Sequence, residues 1–587
     1  MSLNALDFAV IAGCLTIAFL PALVLARRAS RGTVEFFASG RSAPWWLIGT
    51  SMVATTFSTD TPNLVTQFVR EEGVCRNWQW WSFLLSGMLT VFFFARLWRR
   101  SGVMTDLELY ELRYSGRPAV FLRAFRAVYL GLAVNCIIMA TVTLAAAKIA
   151  NVMLGWDRMR TAIVCTLICI PISATSGLWG VLASDLVQFV IAMVGVIAAA
   201  IFLLHLPQVG GMSGLIEQLP TDTLRLLPDL LDTEMMLAFL AAPLLVQWWS
   251  VWYPGAEPGG GSYVAQRMLA ARNEKHAMGA TLWYNVAHYA LRPWPWIIVA
   301  LCSMVVFPTR ADLRRALPHL DAELIGHDMA YPAMLTLLPH GLLGLLVASL
   351  AAAYVSTMST HLNWGASYLV HDLYRRFLRP AADERHYVLV SRCVTAGLMI
   401  ASAALMFGLK TAGAGFQLLI DIGAGTGLVY LLRWYWWRVN AWSELAAMIG
   451  SAGVSLYFYN AQRVGAQLPP YLTLAATVGL TSLVWLAATF LTRPVNAETL
   501  KRFYDRVRPA GPGWNYVRSA AGLAKSPDRL AMSFVGWVSG CAMVYAALFS
   551  VGSFLYGRTD QGLVFVGVFA AGALIVWRTI VVMWRTE

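Results

Sequence analysis

Long apolar stretches alternate with short polar joints from one end of the chain to the other. Most of these stretches approach the ~20 residues that cross hydrocarbon as a helix. Lipid offers the backbone no hydrogen-bond partner, so the spans are expected to be helices. Hydropathy and loop breakers predict about fifteen of them. They fall at 5–27, 44–69, 77–98, 120–150, 158–175, 178–206, 235–256, 279–306, 336–370, 386–408, 412–434, 441–461, 469–492, 530–556 and 561–584. A further stretch, 494–528, mixes Lys501, Arg502, Arg506 and Arg508 with aromatics and predicts an interfacial or loop helix.

Three stretches break the helical pattern. "WYPGAEPGGGSYVAQR" (252–267) sets prolines and glycines directly after an apolar run, which a continuous helix does not tolerate. "SMVATTFSTDTPNLV" (51–65) crowds small polar and β-branched residues up to Pro62, whose missing N–H frees a carbonyl upstream. "DIGAGTG" (421–427) lacks the preceding strand and the spacing of a dinucleotide loop, so it predicts close helix packing.

"LLVASLAAAYVSTMSTHLNW" (345–364) is apolar enough to span, yet it carries hydroxyls at Ser356, Thr357, Ser359 and Thr360. Ser356, Ser359 and Thr360 share one helix face, and Thr357 borders it. Single hydroxyls in membrane helices commonly bond back to the i−4 carbonyl. Four together suit a desolvated monovalent cation, which needs ~five oxygens in place of its water and no charge that would favour a divalent ion. One helix cannot enclose an ion. A broken neighbour with free carbonyls must complete the shell, the arrangement expected near the midplane of secondary transporters. Asp185, in "GLWGVLASDLVQF", lies about two turns into the 178–206 span. It is either a functional intramembrane acid or a solvated residue near the inner interface.

Composition agrees with this pattern. Of 587 residues, 58% are hydrophobic and 13% charged, against about a quarter charged in soluble proteins. The net charge of +13 sits in clusters between spans, such as Arg27, Arg28 and Arg31, Arg96, Arg99 and Arg100, and Arg375, Arg376 and Arg379. That is a positive-inside pattern rather than a nucleic-acid footprint. It puts the N-terminus outside and the C-terminus inside, with Arg113, Arg267, Arg272, Lys275 and Arg433 on the inner side. Arg310, Arg314 and Arg315 are the exception. The first stretch has no basic residue before it and reads as a span, not a cleaved leader. The eight cysteines are scattered, and Cys165 and Cys169 share a helix face as packing residues.

Four segments resemble the sodium/solute symporter family, and they occur in the family's order. "SGRSAPWWLIGTSMVATTFSTDT" (39–61) resembles its first core helix, and "SGLWGVLASDLVQ" (176–188) its "TD--Q" segment. "YVAQRMLAARNEKHA" (263–277) resembles its "QR-LAAK" inner segment. "AAAYVSTMSTHLNWGASYLVHDLYRRFLRP" (351–380) resembles its Ser-Thr sodium helix and "DLY" exit. The resemblance implies an all-α polytopic protein with the LeuT-like fold. Two five-helix inverted repeats, 44–207 and 235–436, would follow an N-terminal helix and inner loop, 1–43. About four further helices would occupy 437–587.

It also implies a sodium site built from the carbonyls of Ala54, Phe57 and Ala353 and the hydroxyls of Ser356 and Thr357. A second sodium, present in some members, would use Asp185, Ser359 and Thr360. The substrate positions would be Thr56, Asp60, Tyr263, Gln417 and Asp421, where Thr56 stands in place of the acid of proline-transporting members. The expected function is sodium-coupled import of a small polar solute (a sugar, amino acid or carboxylate) by alternating access. It would be carried out by a monomer in a bacterial-type inner membrane. A transporter-like sensor with a separate signalling partner is the alternative. No HExxH or GxSxG motif points to an enzyme.

Overall fold

The computed structural model describes residues 3–29, 32–56, 58–318, 320, 325–409, 417, 419–421, 423–463 and 468–585. Among these residues there are helices and two isolated bridges but no strand. Among the described residues, ten helices are long and apolar enough to cross a membrane. Of the other five predicted stretches, 441–461 is a single helix as expected (Ala441–Arg463), 412–434 lies partly outside the described residues, and three differ for local reasons. The 44–69 stretch is two helices, α2 (Trp45–Thr56) and α3 (Asp60–Glu72), with Pro62 in the first turn of α3, where a missing N–H costs nothing. The 158–175 and 178–206 stretches meet end to end in α4 (Arg158–Leu204) and bend at Gly177, whose φ of 53° suits glycine.

The 235–256 stretch winds as short helical turns to Ser250, unwinds over the proline–glycine run, and resumes as α5 (Ser262–Ala270). Unwound backbone inside a membrane needs partners. The glycine cluster supplies them: Trp252 N–H donates to Gly423 O (3.1 Å), and Gly425 N–H donates to Ser250 O (2.9 Å). Such an approach requires glycine, since a Cβ on Gly423 would lie 2.0 Å from Trp252 O. The packing role expected of 421–427 is therefore a backbone-pairing role.

The hydroxyl stretch is one unbroken helix, α6 (Leu342–Ser367), buried on nearly every side. It packs against the second half of α4 and against α1 (Ala5–Ala29). Asp7 of α1 closes its start, accepting from the N–H groups of Gly341 (2.7 Å) and Gly344 (3.0 Å). An acid at a helix N-terminus meets both the free N–H groups and the positive end of the dipole. The 494–528 region forms two short helices, Ala497–Val507 and Asn515–Ala520.

Candidate functional site

The last four carbonyls of a helix have no partner within it. In α2 these belong to Val53, Ala54, Thr55 and Thr56, and three of them meet side chains from elsewhere in the fold. Thr357 Oγ1 donates to Thr55 O at 2.8 Å. Arg292, fully buried, donates to Val53 O (2.6 Å) and Thr56 O (3.2 Å). Ala54 provides the fourth carbonyl of that turn and is itself buried. A second stitch joins the same helices, with Thr55 Oγ1 and Thr360 Oγ1 2.8 Å apart. The broken end of α2 thus lies against the hydroxyl face of α6, as the residue pattern requires. Phe57 lies outside the described residues.

Asp185 is 1% exposed, so the solvated alternative does not apply. Its Oδ1 accepts from Ser356 Oγ at 2.6 Å, and its Oδ2 accepts from Ser51 Oγ. Arg267 of α5 reaches the same cluster with a fully buried guanidinium. It donates to Thr360 Oγ1 (2.6 Å) and to Ser51 Oγ (3.2 Å), while its nearest approach to Asp185 is 3.9 Å. Ser359 turns away toward the first half of α4, accepting from Ser173 Oγ at 3.1 Å.

A cavity of about 110 Å³ opens beside this junction. Thr55, Thr56 and Thr357 line it from α2 and α6, Asp60 from the start of α3, and Tyr253, Tyr263, Tyr284 and His361 add four rings to the lining. Asp60 Oδ1 is buried with no hydrogen-bond partner among the described residues. Tyr263 packs edge-on to His361, whose Nδ1 meets Asn135 Oδ1 at 2.7 Å. Gln417 and Asp421 are not part of this wall. They bond to each other (2.8 Å) and line a separate cavity of about 370 Å³ with Gln79, Gln247 and Ser455.

Of the residues expected at the site, Ser356, Thr357, Thr360 and Asp185 gather against the end of α2 that carries Ala54, and Thr56, Asp60 and Tyr263 share the cavity next to them. Ala353, buried, precedes Ser356 by one turn on α6. Sequence reading missed Ser51, Thr55, Arg267 and Arg292. Both threonine and serine sit in the quoted polar run, but nothing in spacing alone separates a hydroxyl facing α6 from one bonded to its own helix. Arg267 counted there as an inner-side charge. It is instead an interior cation.

Comparison with known proteins gives a consistent result. The profile of the sodium:solute symporter family matches residues 36–451. A sodium/mannose cotransporter of Bos taurus is 25% identical over 78% of this chain and 80% of its own. A sodium/glucose cotransporter of Vibrio parahaemolyticus is 22% identical over 73% and 79%. Among solved structures, the substrate-bound, outward-open state of a Na⁺-coupled sialic acid symporter superposes with a TM-score of 0.65. It is 19% identical, covering 84% of this chain and 99% of that one. The fold is the LeuT-like one. The relatives are transporters rather than enzymes. This multi-pass membrane protein, a sodium-coupled importer of a small solute, belongs to the sodium:solute symporter family.

Proposed function

We propose that the driving sodium binds where α2 breaks against α6, held by the carbonyls of Ala54, Phe57 and Ala353 and the hydroxyls of Ser356 and Thr357. The observation that carries this reading is the 2.8 Å contact from Thr357 Oγ1 to Thr55 O, at the turn where α2 ends. Thr357 also lines the central cavity, so ion and solute share a wall. An ion there braces α2 against α6 and shapes the space around Asp60. Losing it on the inner side loosens both helices. By linkage, solute binding strengthens sodium binding to the same degree. A second sodium binds at Asp185 and Thr360, with Ser356 between the two positions; Ser359, turned toward Ser173, would have to rotate to join it.

For the solute we propose a small neutral polyol of the sugar class. The aromatic side chains of the lining suit the apolar faces of a sugar, and the oxygen of Asp60 that has no partner among the described residues suits a hydroxyl donor. A negative side chain in the cavity disfavours a carboxylate. Two of the relatives are named for mannose and glucose. We place the two inverted repeats at 44–207 and 235–436, the N-terminus outside, the C-terminus inside, and the working unit as a monomer in a plasma membrane of the bacterial inner-membrane type. Tyr263 then closes the cavity on the inner side.

Each sodium entering across ~100 mV releases about 2.3 kcal/mol, and a tenfold sodium ratio adds about 1.4 kcal/mol. One ion therefore supports a solute gradient of a few hundredfold, and two ions roughly its square. A thermal-shift screen of purified protein against sugars, amino acids and small carboxylates, with sodium or with a large organic cation, tests this reading. A monosaccharide or related polyol should raise the melting temperature only when sodium is present. Stabilisation by an amino acid or carboxylate alone would reject the sugar assignment, and stabilisation independent of sodium would reject the coupling.

A further inference from the structure

Arg267 raises a question the sodium site does not answer. A guanidinium without exposure sits among the residues proposed for the second ion, and among the described residues it is the cation that approaches Asp185. A buried carboxylate needs a positive partner. Where arginine is a permanent partner, the two groups make parallel hydrogen bonds at about 2.7–2.9 Å. Here both carboxylate oxygens are taken by the hydroxyls of Ser51 and Ser356. The guanidinium stands 3.9 Å off and spends its Nη2 on Thr360 and Ser51 instead. The charge of Asp185 is neutralised, but the geometry of a locked pair is missing.

We infer that Arg267 is a tethered cation that exchanges with sodium at Asp185. This inference rests on the second-ion reading above. An ion bonded to Thr360 Oγ1 at the ~2.4 Å usual between a hard cation and oxygen lies no more than about 5 Å from Nη2, given the 2.6 Å contact. Two cations that close, away from water, repel strongly. Sodium therefore enters by displacing the guanidinium, and the guanidinium returns when sodium leaves, so that Asp185 is never left bare.

The displacement also has a lever. α5 carries Tyr263, whose ring lies 5.8 Å from the Arg267 guanidinium carbon, and Gln266, whose Oε1 accepts from Arg267 at 3.1 Å. The Gln266 amide in turn donates to Phe37 O (3.2 Å) and to Asn363 Oδ1 of α6 (2.9 Å). Moving Arg267 thus disturbs the inner half of the broken span and the ring that borders the cavity. Filling the second ion site and positioning Tyr263 become one event.

Radioactive sodium binding to the purified protein, paired with the sodium dependence of uptake in proteoliposomes, tests the exchange. The wild type should bind two ions, with a Hill coefficient approaching two. Asp185→Asn should keep one. Arg267→Gln should keep both, with half-occupancy of the weaker site at roughly tenfold lower sodium, because the competitor is gone, and solute uptake should lose its tight coupling to sodium. Arg267→Lys, which retains a tethered charge without the fork, should show the same shift to a smaller degree and serves if the glutamine variant does not fold. A gain in affinity is not what a merely structural arginine would produce. Unchanged or weaker sodium binding in both Arg267 variants would overturn the inference. So would a wild type that binds one ion and gains a second only when Arg267 is removed, since the guanidinium would then be a permanent occupant. Binding of no sodium by any form would overturn this inference and the proposed sodium sites together.

Discussion

Sodium gives up its water only where several oxygens replace it at once, and the residues around Thr357 have the chemistry to do so. Hydroxyls from α6 and end-of-helix carbonyls from α2 are neutral, compact and already oriented by contacts such as Thr357 to Thr55 O. The meeting of these groups was legible because four hydroxyls within five residues exceed what i−4 back-bonding calls for. Arg267 was not legible, since an arginine near a span end reads as a topology signal and only burial reveals its interior role. Gln417 and Asp421 were placed by resemblance within a glycine-rich segment, where position along the chain does not fix the direction a side chain faces; they line another cavity. At this scale the solute contact is the sharpest prediction. Asp60→Asn removes a charged acceptor worth about 1.5–3 kcal/mol. Solute KM should rise on the order of 10- to 100-fold, with sodium dependence retained. Initial-rate uptake across a range of solute concentrations measures this, and an unchanged KM would remove Asp60 from the solute site.

Helices carry these groups to one place because two of them are broken. Proline and glycine announce both breaks in the sequence, and the pattern located each to within a few residues. What the pattern does not reveal is how the unwound backbone is satisfied. Around 251–261 the answer is the glycine cluster, which pairs with Trp252 and Ser250 as a short bridge. Gly423→Ala would drive a methyl into Trp252 O, and overpacking of this kind costs about 1–3 kcal/mol. A melting temperature lowered by several degrees, with reduced uptake, is the expected outcome; a melting curve identical to wild type would count against the bridge. The start of α6 depends on Asp7 in the same way. Asp7→Asn keeps one acceptor and loses the charge, so stability should fall by about 1 kcal/mol, read from the thermal midpoint.

For the whole molecule, alternating access requires the two broken spans to respond to ion and solute together. The central cavity touches both: Thr56 and Asp60 belong to the α2–α3 break, Tyr253 and Tyr263 flank the other. The LeuT-like fold brings these breaks together, and the order of motifs along the chain announced it. The helices after residue 437 offered no such motif. Accumulation of solute in proteoliposomes should vanish when the sodium gradient is collapsed with an ionophore and persist when only the pH gradient is collapsed; the reverse would make protons the driving ion. The most direct check on the central claim is equilibrium sodium binding to the purified Ser356→Ala/Thr357→Ala protein beside wild type. Loss of the high-affinity ion, together with its stabilisation of the fold, is the expected result. Sodium affinity equal to wild type in a folded double variant would place the ion elsewhere.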